Sequence, residues 1–317
     1  MDEIDGGIRR VTLPLPTRPG HVHAYALPGS DGWTIVDTGL GLPDAKERWA
    51  RELEELPGPV RRIVVTHFHP DHVGAAADLV ELTDAPVAQG RLDYDQCRLV
   101  WGGEDWADVL VDWFASNGVP ADVVRELIGQ GSVYRPFVRY QPDPERLDPG
   151  DVVDGWLVVA APGHADGQLM LHGDGVLVAA DHILDPISPT VGLWPRSRPD
   201  PLGDYLGALQ RTIDLAPTIA YGGHGETVTD PVGRANELIA HHAERLLATA
   251  AAIGSEPRTG YEVSFPLFGD DLRPASRRFA VAETLSHLER LVRDGGAERH
   301  ELQPNGDVAN VSYTAAQ

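Results

Sequence analysis

The sequence predicts an α/β protein, and three observations carry that reading. Short apolar runs rich in Val and Ile recur along the chain, each closing on Gly, Asp or His. Segments of helical spacing lie between them. Side chains that bind metals gather directly after the runs, at the carboxyl ends of strands, where open α/β sheets place their sites.

The strand runs are Thr34-Ile35-Val36, Ile63-Val64-Val65, Trp156-Leu157-Val158-Val159, Val176-Leu177-Val178 and Ile219-Ala220-Tyr221. They lead respectively to Asp37-Thr38-Gly39, Thr66-His67, Pro162-Gly163-His164, Asp181-His182 and Gly222-Gly223-His224. A helix is expected over 43–56, with Pro43 near its start, and another over 74–83. Residues 92–148 carry no metal-type motif but are rich in aromatics, among them Tyr94, Trp101, Trp106, Trp113 and Phe114. With helices expected over 105–117 and 121–128, this stretch reads as a helical insertion. Its aromatics either pack it onto the sheet or wall an apolar substrate pocket. After His224, helices are expected over 231–253 and 274–293, then a hairpin around Asn305-Gly306. The expected organisation is a catalytic domain over 1–230, with its insertion at about 92–148, and a winged-helix-like C-terminal domain over 231–317.

Length and composition limit the function classes. The 317 residues suffice for one large α/β domain or a domain with a small appendage. Hydrophobic residues at 42% and charged residues at 23% fit a globular chain rather than a disordered one. A net charge of -22 repels phosphate backbones, so no nucleic-acid partner is expected. The single cysteine, Cys97, excludes an internal disulfide, and with no histidine near it in sequence it is not expected to act as a nucleophile. The acidic start Met1-Asp2-Glu3-Ile4-Asp5 precedes no apolar stretch of signal-peptide type. No run of about 18 apolar residues is present either. The expectation is a cytoplasmic protein with no membrane partner.

The strongest signal is Thr66-His67-Phe68-His69-Pro70-Asp71-His72, which follows an apolar strand run. Imidazole and carboxylate suit zinc, iron or manganese. In an extended turn His67 and His69 point the same way and can share one metal. Asp71 and His72 fall at the start of the next helix and can face a second. Each metal needs further protein ligands, and His164, Asp181 and His224 stand at equivalent strand ends. The glycines beside the later histidines allow close backbone approach.

These ordered motifs, with Asp37 in Val36-Asp37-Thr38-Gly39, resemble the metallo-β-lactamase superfamily over residues 34–226. The resemblance implies an αββα sandwich with metals at one edge of its two sheets. It implies two divalent metal ions, zinc foremost, with iron or manganese as alternatives. His67, His69 and His164 would hold one, Asp71, His72 and His224 the other, and Asp181 would bridge them. Asp71 and Asp181 would also carry catalytic roles, and Asp37 would support the ligands from behind. The C-terminal part resembles the small winged-helix-like domain of glyoxalase-like members. In so acidic a chain its expected role is structural, dimer-forming or pocket-lining rather than DNA-binding.

Among the other histidines, His182 is either a packed residue or an aid to the site. His21 and His23 alternate on an expected strand, in a core or edge position or lining the site. His241 and His242 are adjacent on a helix and make poor joint ligands. His172, His287 and His300 read as surface residues.

The expected activity is hydrolysis of an ester, thioester or lactone of a small hydrophobic acyl substrate by a metal-bound hydroxide. Family β-lactamases generally lack an aspartate at the place of Asp181 and are exported. Iron redox members carry an acidic residue where His69 stands. The basic C-terminal residues of glutathione thioesterases find no match here, whereas a lactonase fits the ligands equally well. The alternatives are a phosphodiesterase or nuclease of the same superfamily, and a non-catalytic, regulatory metal-binding module.

Overall fold

The computed structural model describes residues 1–302 and 310–316. The chain forms two compact units. The first comprises residues 1–102, 134–189 and 211–235, and the second residues 103–133, 190–210 and 236–317.

Unit 1 holds two sheets. Seven strands form the first in sequence order: β1 (Asp2–Glu3), β2 (Arg9–Pro14), β3 (His21–Pro28), β4 (Trp33–Val36), β5 (Val60–Val65), β6 (Val87–Gly90) and β7 (Glu145–Leu147). The pairs β4–β5, β5–β6 and β6–β7 are parallel. The second sheet contains β8 (Val152–Val153), β9 (Trp156–Ala160), β10 (Leu169–Gly173), β11 (Val176–Ala180) and β12 (Ile219–Gly222), in the order β12-β11-β10-β9-β8. Every strand expected from the apolar runs is present.

Alternation along the strands builds the layers. Val36, Val64 and Ala88 of the first sheet share one buried cluster with Val158, Leu171 and Val178 of the second. Their neighbours Ile35, Ile63, Val65 and Val87 face the other way. They pack with Trp49 of α1 (Ala45–Glu54), Val73 of α2 (Pro70–Val73), Leu79 of α3 (Ala76–Thr83) and Cys97 of α4 (Arg91–Cys97). Trp49 is fully buried, and its Nε1 donates to the Thr38 carbonyl at 2.8 Å. These are the inner layers of an αββα sandwich.

The segment between β6 and β7 is helical, as expected, but it is shared between the units. Its α5 (Trp106–Ser116) and α6 (Ala121–Ser132) belong to unit 2. The reason is apolar burial: Leu110, Phe114 and Leu127 cluster with Val281, Leu285 and Leu288 of a C-terminal helix. Tyr94, Trp101 and Tyr140 pack instead beside the sheet core of unit 1. The units therefore divide at 235/236, with 103–133 and 190–210 joining the C-terminal part, rather than as a simple cut at 230/231.

Among the helices beyond the ranges expected from the sequence are α7 (Pro201–Leu215) and α9 (Gly260–Phe268). Pro266 inside α9 obscures its period, although Thr259 and Glu262 form a capping box at its start. The expected long helices are α8 (Pro231–Ile253) and α10 (Pro274–Arg293). Unit 2 also contains a three-stranded sheet, β13-β15-β14, from β13 (Arg258–Thr259), β14 (Ala297–Leu302) and β15 (Asn310–Ala315). β14 and β15 form the expected antiparallel hairpin. The turn expected at Asn305-Gly306 lies outside the described residues. Among the described residues no helix is long and apolar enough to cross a membrane.

His287 is not a surface residue. On α10 it shares a face with buried Ala280, Thr284 and Leu291, at helical spacing. Its Nδ1–H donates to the Glu283 carbonyl at 2.8 Å. Its Nε2 is thereby left to accept from Nδ1 of His242, 3.2 Å away. Burial pushes His242 down to about 3 and His287 down to about 4. Both are neutral in the fold, while an unfolded chain binds protons at its histidines near pH 6.5. Stability from this pair is therefore complete above pH 6.5 and lost as pH falls toward 4 and 3. Glu283, pushed up to about 7 by burial, has the opposite sign. We expect the denaturation midpoint to fall from pH 6.5 to 4, and more shallowly in His242→Leu, which keeps Glu283. Equal falls in the two proteins would refute the assignment.

Candidate metal centre

The candidate site stands where strands of both sheets end. β4 ends at Val36, and Asp37 follows with a left-handed φ of 61°. Its carboxylate accepts three hydrogen bonds. Oδ1 takes one from the Thr66 N–H at 2.8 Å, and Oδ2 takes one from Thr66 Oγ1–H at 2.8 Å and one from His72 Nδ1–H at 2.8 Å. With its proton committed to Asp37, Thr66 Oγ1 accepts from His67 Nδ1–H at 3.0 Å. One carboxylate thus sets the tautomer of two histidines and leaves both Nε2 atoms for a ligand.

His67 and His69 lie on the turn after β5. Asp71 and His72 lie in α2, which starts at Pro70. His164 follows β9, Asp181 follows β11 and His224 follows β12. The ligand atoms of His67, His69 and His164 lie within 4.8 Å of one another, as do those of Asp71, His72 and His224, and those of His67, His72 and Asp181. Asp181 stands between the two outer sets. Its Oδ2 is 3.4 Å from Nε2 of both His164 and His224, and its Oδ1 is 3.5 Å from His72 Nε2. Asp71 Oδ2 is 3.3 Å from His224 Nε2. All the ligands expected from the sequence therefore converge.

The residues fit a pair of divalent metal ions. His67 is fully buried, and its Nε2 has no hydrogen-bond partner among the described residues. Such an atom in a protein interior calls for a bound group. A Cβ on Gly223 would come within 2.4 Å of Asp181 Oδ1 and 2.7 Å of His72 Cε1, so a glycine is required for the donors to meet. Histidine and aspartate donors suit zinc, iron or manganese.

The charges fall into a pattern. Burial, then the neighbouring imidazoles, pushes His67 well below its ordinary value, and burial with His164 pushes His69 down to about 3. Burial alone would raise Asp181, but His224 and His72 outweigh it and hold the carboxyl well below the usual range. Burial likewise opposes a charge on His224, yet Asp181 and Asp71 raise it to about 10.

His182 is not among the ligands. It is fully buried, with Nε2 3.0 Å from Thr212 Oγ1. His21 and His23 do not supply ligand atoms; they support the loop of His224. On β3, alternate residues face that loop. The His23 N–H donates to the Gly223 carbonyl at 2.7 Å, and Tyr25 Oη donates to the Gly222 carbonyl at 2.6 Å. His23 Nε2 reaches the Gly225 carbonyl at 3.2 Å, and the His21 carbonyl accepts from His224 Nδ1–H at 2.7 Å. The period-two spacing His21, His23, Tyr25 is the sequence signal for this shared face; its partner loop lies some 200 residues away in the chain.

Comparison with known proteins agrees with this geometry. The family model described as metallo-beta-lactamase superfamily matches residues 17–224, and that described as metallo-beta-lactamase-like, C-terminal domain, matches residues 246–306. A metallo-beta-lactamase family protein from Thermus thermophilus is 34% identical, with 98% of each chain covered and a TM-score of 0.82. A beta-lactamase domain protein from Burkholderia ambifaria is 30% identical over 99% of this chain and 93% of its own, with a TM-score of 0.85. The Bacillus subtilis (strain 168) protein named "Probable metallo-hydrolase YqjP" is 27% identical over 301 residues, 88% of this chain and 90% of the relative.

Two measurements check the site. Removing Asp37 orphans buried donors on Thr66 and His72, so Asp37→Ala should weaken metal binding about 10- to 100-fold with every ligand intact. Chelator competition reads this out, and an unchanged affinity would contradict it. Metal uptake should also release protons, because His224 is charged near pH 7 in the free protein and must bind as neutral imidazole. Affinity then falls as pH falls; calorimetry in buffers of different ionisation heat measures the protons, and zero release would refute the charge assignment.

Proposed function

This chain belongs to the metallo-beta-lactamase superfamily, and from that premise we propose a hydrolase that cleaves an ester, thioester or lactone of a small hydrophobic acyl substrate. The observation that carries the proposal is the position of Asp181 between the two ligand sets, 3.4 Å from a histidine of each. That arrangement supports two ions rather than one. When bound, a pair of divalent ions supplies an acidified water and polarises the carbonyl to be attacked.

The protein's own groups have three tasks. His67, His69 and His164 would hold one ion, and Asp71, His72 and His224 the other, with Asp181 shared. Asp71 is the more open of the two site carboxylates, with 21% of its side chain exposed against 8% for Asp181. Burial would raise the Asp71 carboxyl, but His72 and His224 outweigh burial and lower it. It is therefore ionised, and we assign it the proton taken from the attacking water and returned to the leaving group. Cys97 is no rival nucleophile: it is buried, and burial pushes its thiol far above the ordinary range.

The histidine-rich donor set favours zinc. The acyl preference is the expectation of the sequence alone, from the aromatic content of residues 92–148; in the fold Trp106, Trp113, Phe114 and Trp194 pack in the apolar cluster of unit 2. The net charge of -22 argues against a nucleic-acid substrate. The order α9, α10, β14, β15 supports a winged-helix-like C-terminal part, to which we assign a structural or dimer-forming role.

Chelation, or His69→Ala, should abolish turnover of acyl-thioesters and lactones, and zinc should restore the chelated protein. Phosphodiesters should remain uncut. Turnover by a metal-free preparation would sink the metal-dependent reading, and cleavage of phosphodiesters alone would overturn the bond assignment. Elemental analysis decides between zinc, iron and manganese.

A further inference from the structure

Asp93 is a fully buried carboxylate outside the ligand set, in a segment whose sequence carries no metal-type motif. Burial pushes its carboxyl up to about 7. A buried carboxylate is costly unless its oxygens are engaged. An acid in the first turn of a helix ordinarily serves the helix itself, and Asp93 is in the first turn of α4. Yet no side chain caps that helix. The Asp93 side chain turns away to two other partners. Its Oδ1 accepts the Phe68 N–H at 3.0 Å, and its Oδ2 accepts from Gln89 Nε2 at 2.6 Å.

Phe68 is the residue between His67 and His69. Its backbone is held at both ends, because its carbonyl accepts from Trp101 Nε1–H at 2.8 Å. The same helix also braces the loop that carries His164. A Cβ on Gly167 would come within 2.3 Å of the Asp93 backbone nitrogen, so loop and helix touch backbone to backbone. Gln96, one turn further along α4, donates from Nε2 to Asp166 Oδ2 at 2.7 Å. Both segments of the three-histidine set therefore abut one short helix.

We propose that Asp93 is a positioning residue for the three-histidine half of the metal centre, holding the His67–His69 turn through Phe68 at a fixed spacing from the His164 loop. This rests on the reading of those histidines as metal ligands. In the other half, His72 is held directly by Asp37 and His224 by β3, neither through Asp93. Loss of the Asp93 carboxylate is thus selective: it weakens one ion and spares the other.

The test is zinc binding by the full chain, measured by chelator competition and by elemental analysis, with thermal unfolding of the metal-free protein alongside. The wild type should hold two ions. Asp93→Ala should hold one as the wild type does and the other about 10- to 100-fold more weakly, the usual effect of losing a group that orients a ligand. Asp93→Asn should stay within about threefold of the wild type, since its Oδ1 still accepts the Phe68 N–H and the Gln89 amide can turn to accept from the new Nδ2–H. Trp101→Phe keeps most of the ring and removes the donor to the Phe68 carbonyl. It should shift the same ion in the same direction, and it keeps the test open if Asp93→Ala does not fold. Wild-type affinity for both ions in Asp93→Ala, or equal loss of both, would overturn the proposal, as would Asp93→Asn as weak as Asp93→Ala. A wild-type protein that binds no zinc, iron or manganese would instead overturn the metal reading beneath it.

Discussion

The Asp37 carboxylate is the interaction on which the rest of the site depends. Four donors and acceptors are ordered by it in sequence: the Thr66 N–H, the Thr66 hydroxyl, the His72 ring and, through the hydroxyl, the His67 ring. Each imidazole bound through Nδ1 has only its Nε2 left to offer. His67 belongs to the three-histidine set and His72 to the set with Asp71 and His224, and both join Asp181 in the third. A single buried acid therefore orients donors across the whole centre. That acid needs a sharp exit from β4, and Asp37 makes it in the left-handed region, where aspartate is tolerated better than most residues. Ala180, just before Asp181, leaves β11 in the same way, with φ 45°. Strand termini with this geometry throw side chains off the sheet edge, and such local strain persists only where the surrounding contacts hold it.

Those contacts end, for the most part, on the backbone of the ligand loops. The His224 loop is fixed to β3 by amide and carbonyl groups of Gly222, Gly223 and Gly225, residues without side chains of their own. The His67–His69 turn is fixed through the amide and carbonyl of Phe68. Ligand geometry therefore depends on side chains that reach from neighbouring elements to the backbone of the ligand loops. A site built this way is organised before anything binds, which reduces the ordering cost at the moment of binding.

This explains which parts are legible in the sequence. Strand runs and ligands are local signals: an apolar run followed by His or Asp can be read without knowing the fold. The helices with uninterrupted period, α8 and α10, are legible to their ends, while α9 is hidden by an internal proline. His287 reads as a surface residue because charged neighbours on α10 mask the inward face that Ala280, Thr284 and Leu291 define. The support from Asp37 is implied by the resemblance, but the other supports are not legible, because each joins separate segments of the chain: His21 to His224 and Asp93 to Phe68. Nor can sequence assign residues 103–133 to their unit, since α5 and α6 are amphipathic and either unit could cover them. The covering surface, on α10, lies well over a hundred residues downstream.

The choice of partners for the buried acids carries a last consequence. Asp71 and Asp181 are ionised, and their ion-pair partners are imidazoles: His224 for Asp71, and His72 and His224 for Asp181. Buried carboxylates need cations, and an arginine would supply one permanently. An arginine cannot give up its proton, however, and would occupy the place of a metal with its own charge. An imidazole is a cation when protonated and a ligand when it is not. The same side chains can therefore neutralise the acids with protons in the free protein and release those protons when a metal takes over the neutralisation. Such a cluster exchanges one kind of positive charge for the other on the same side chains.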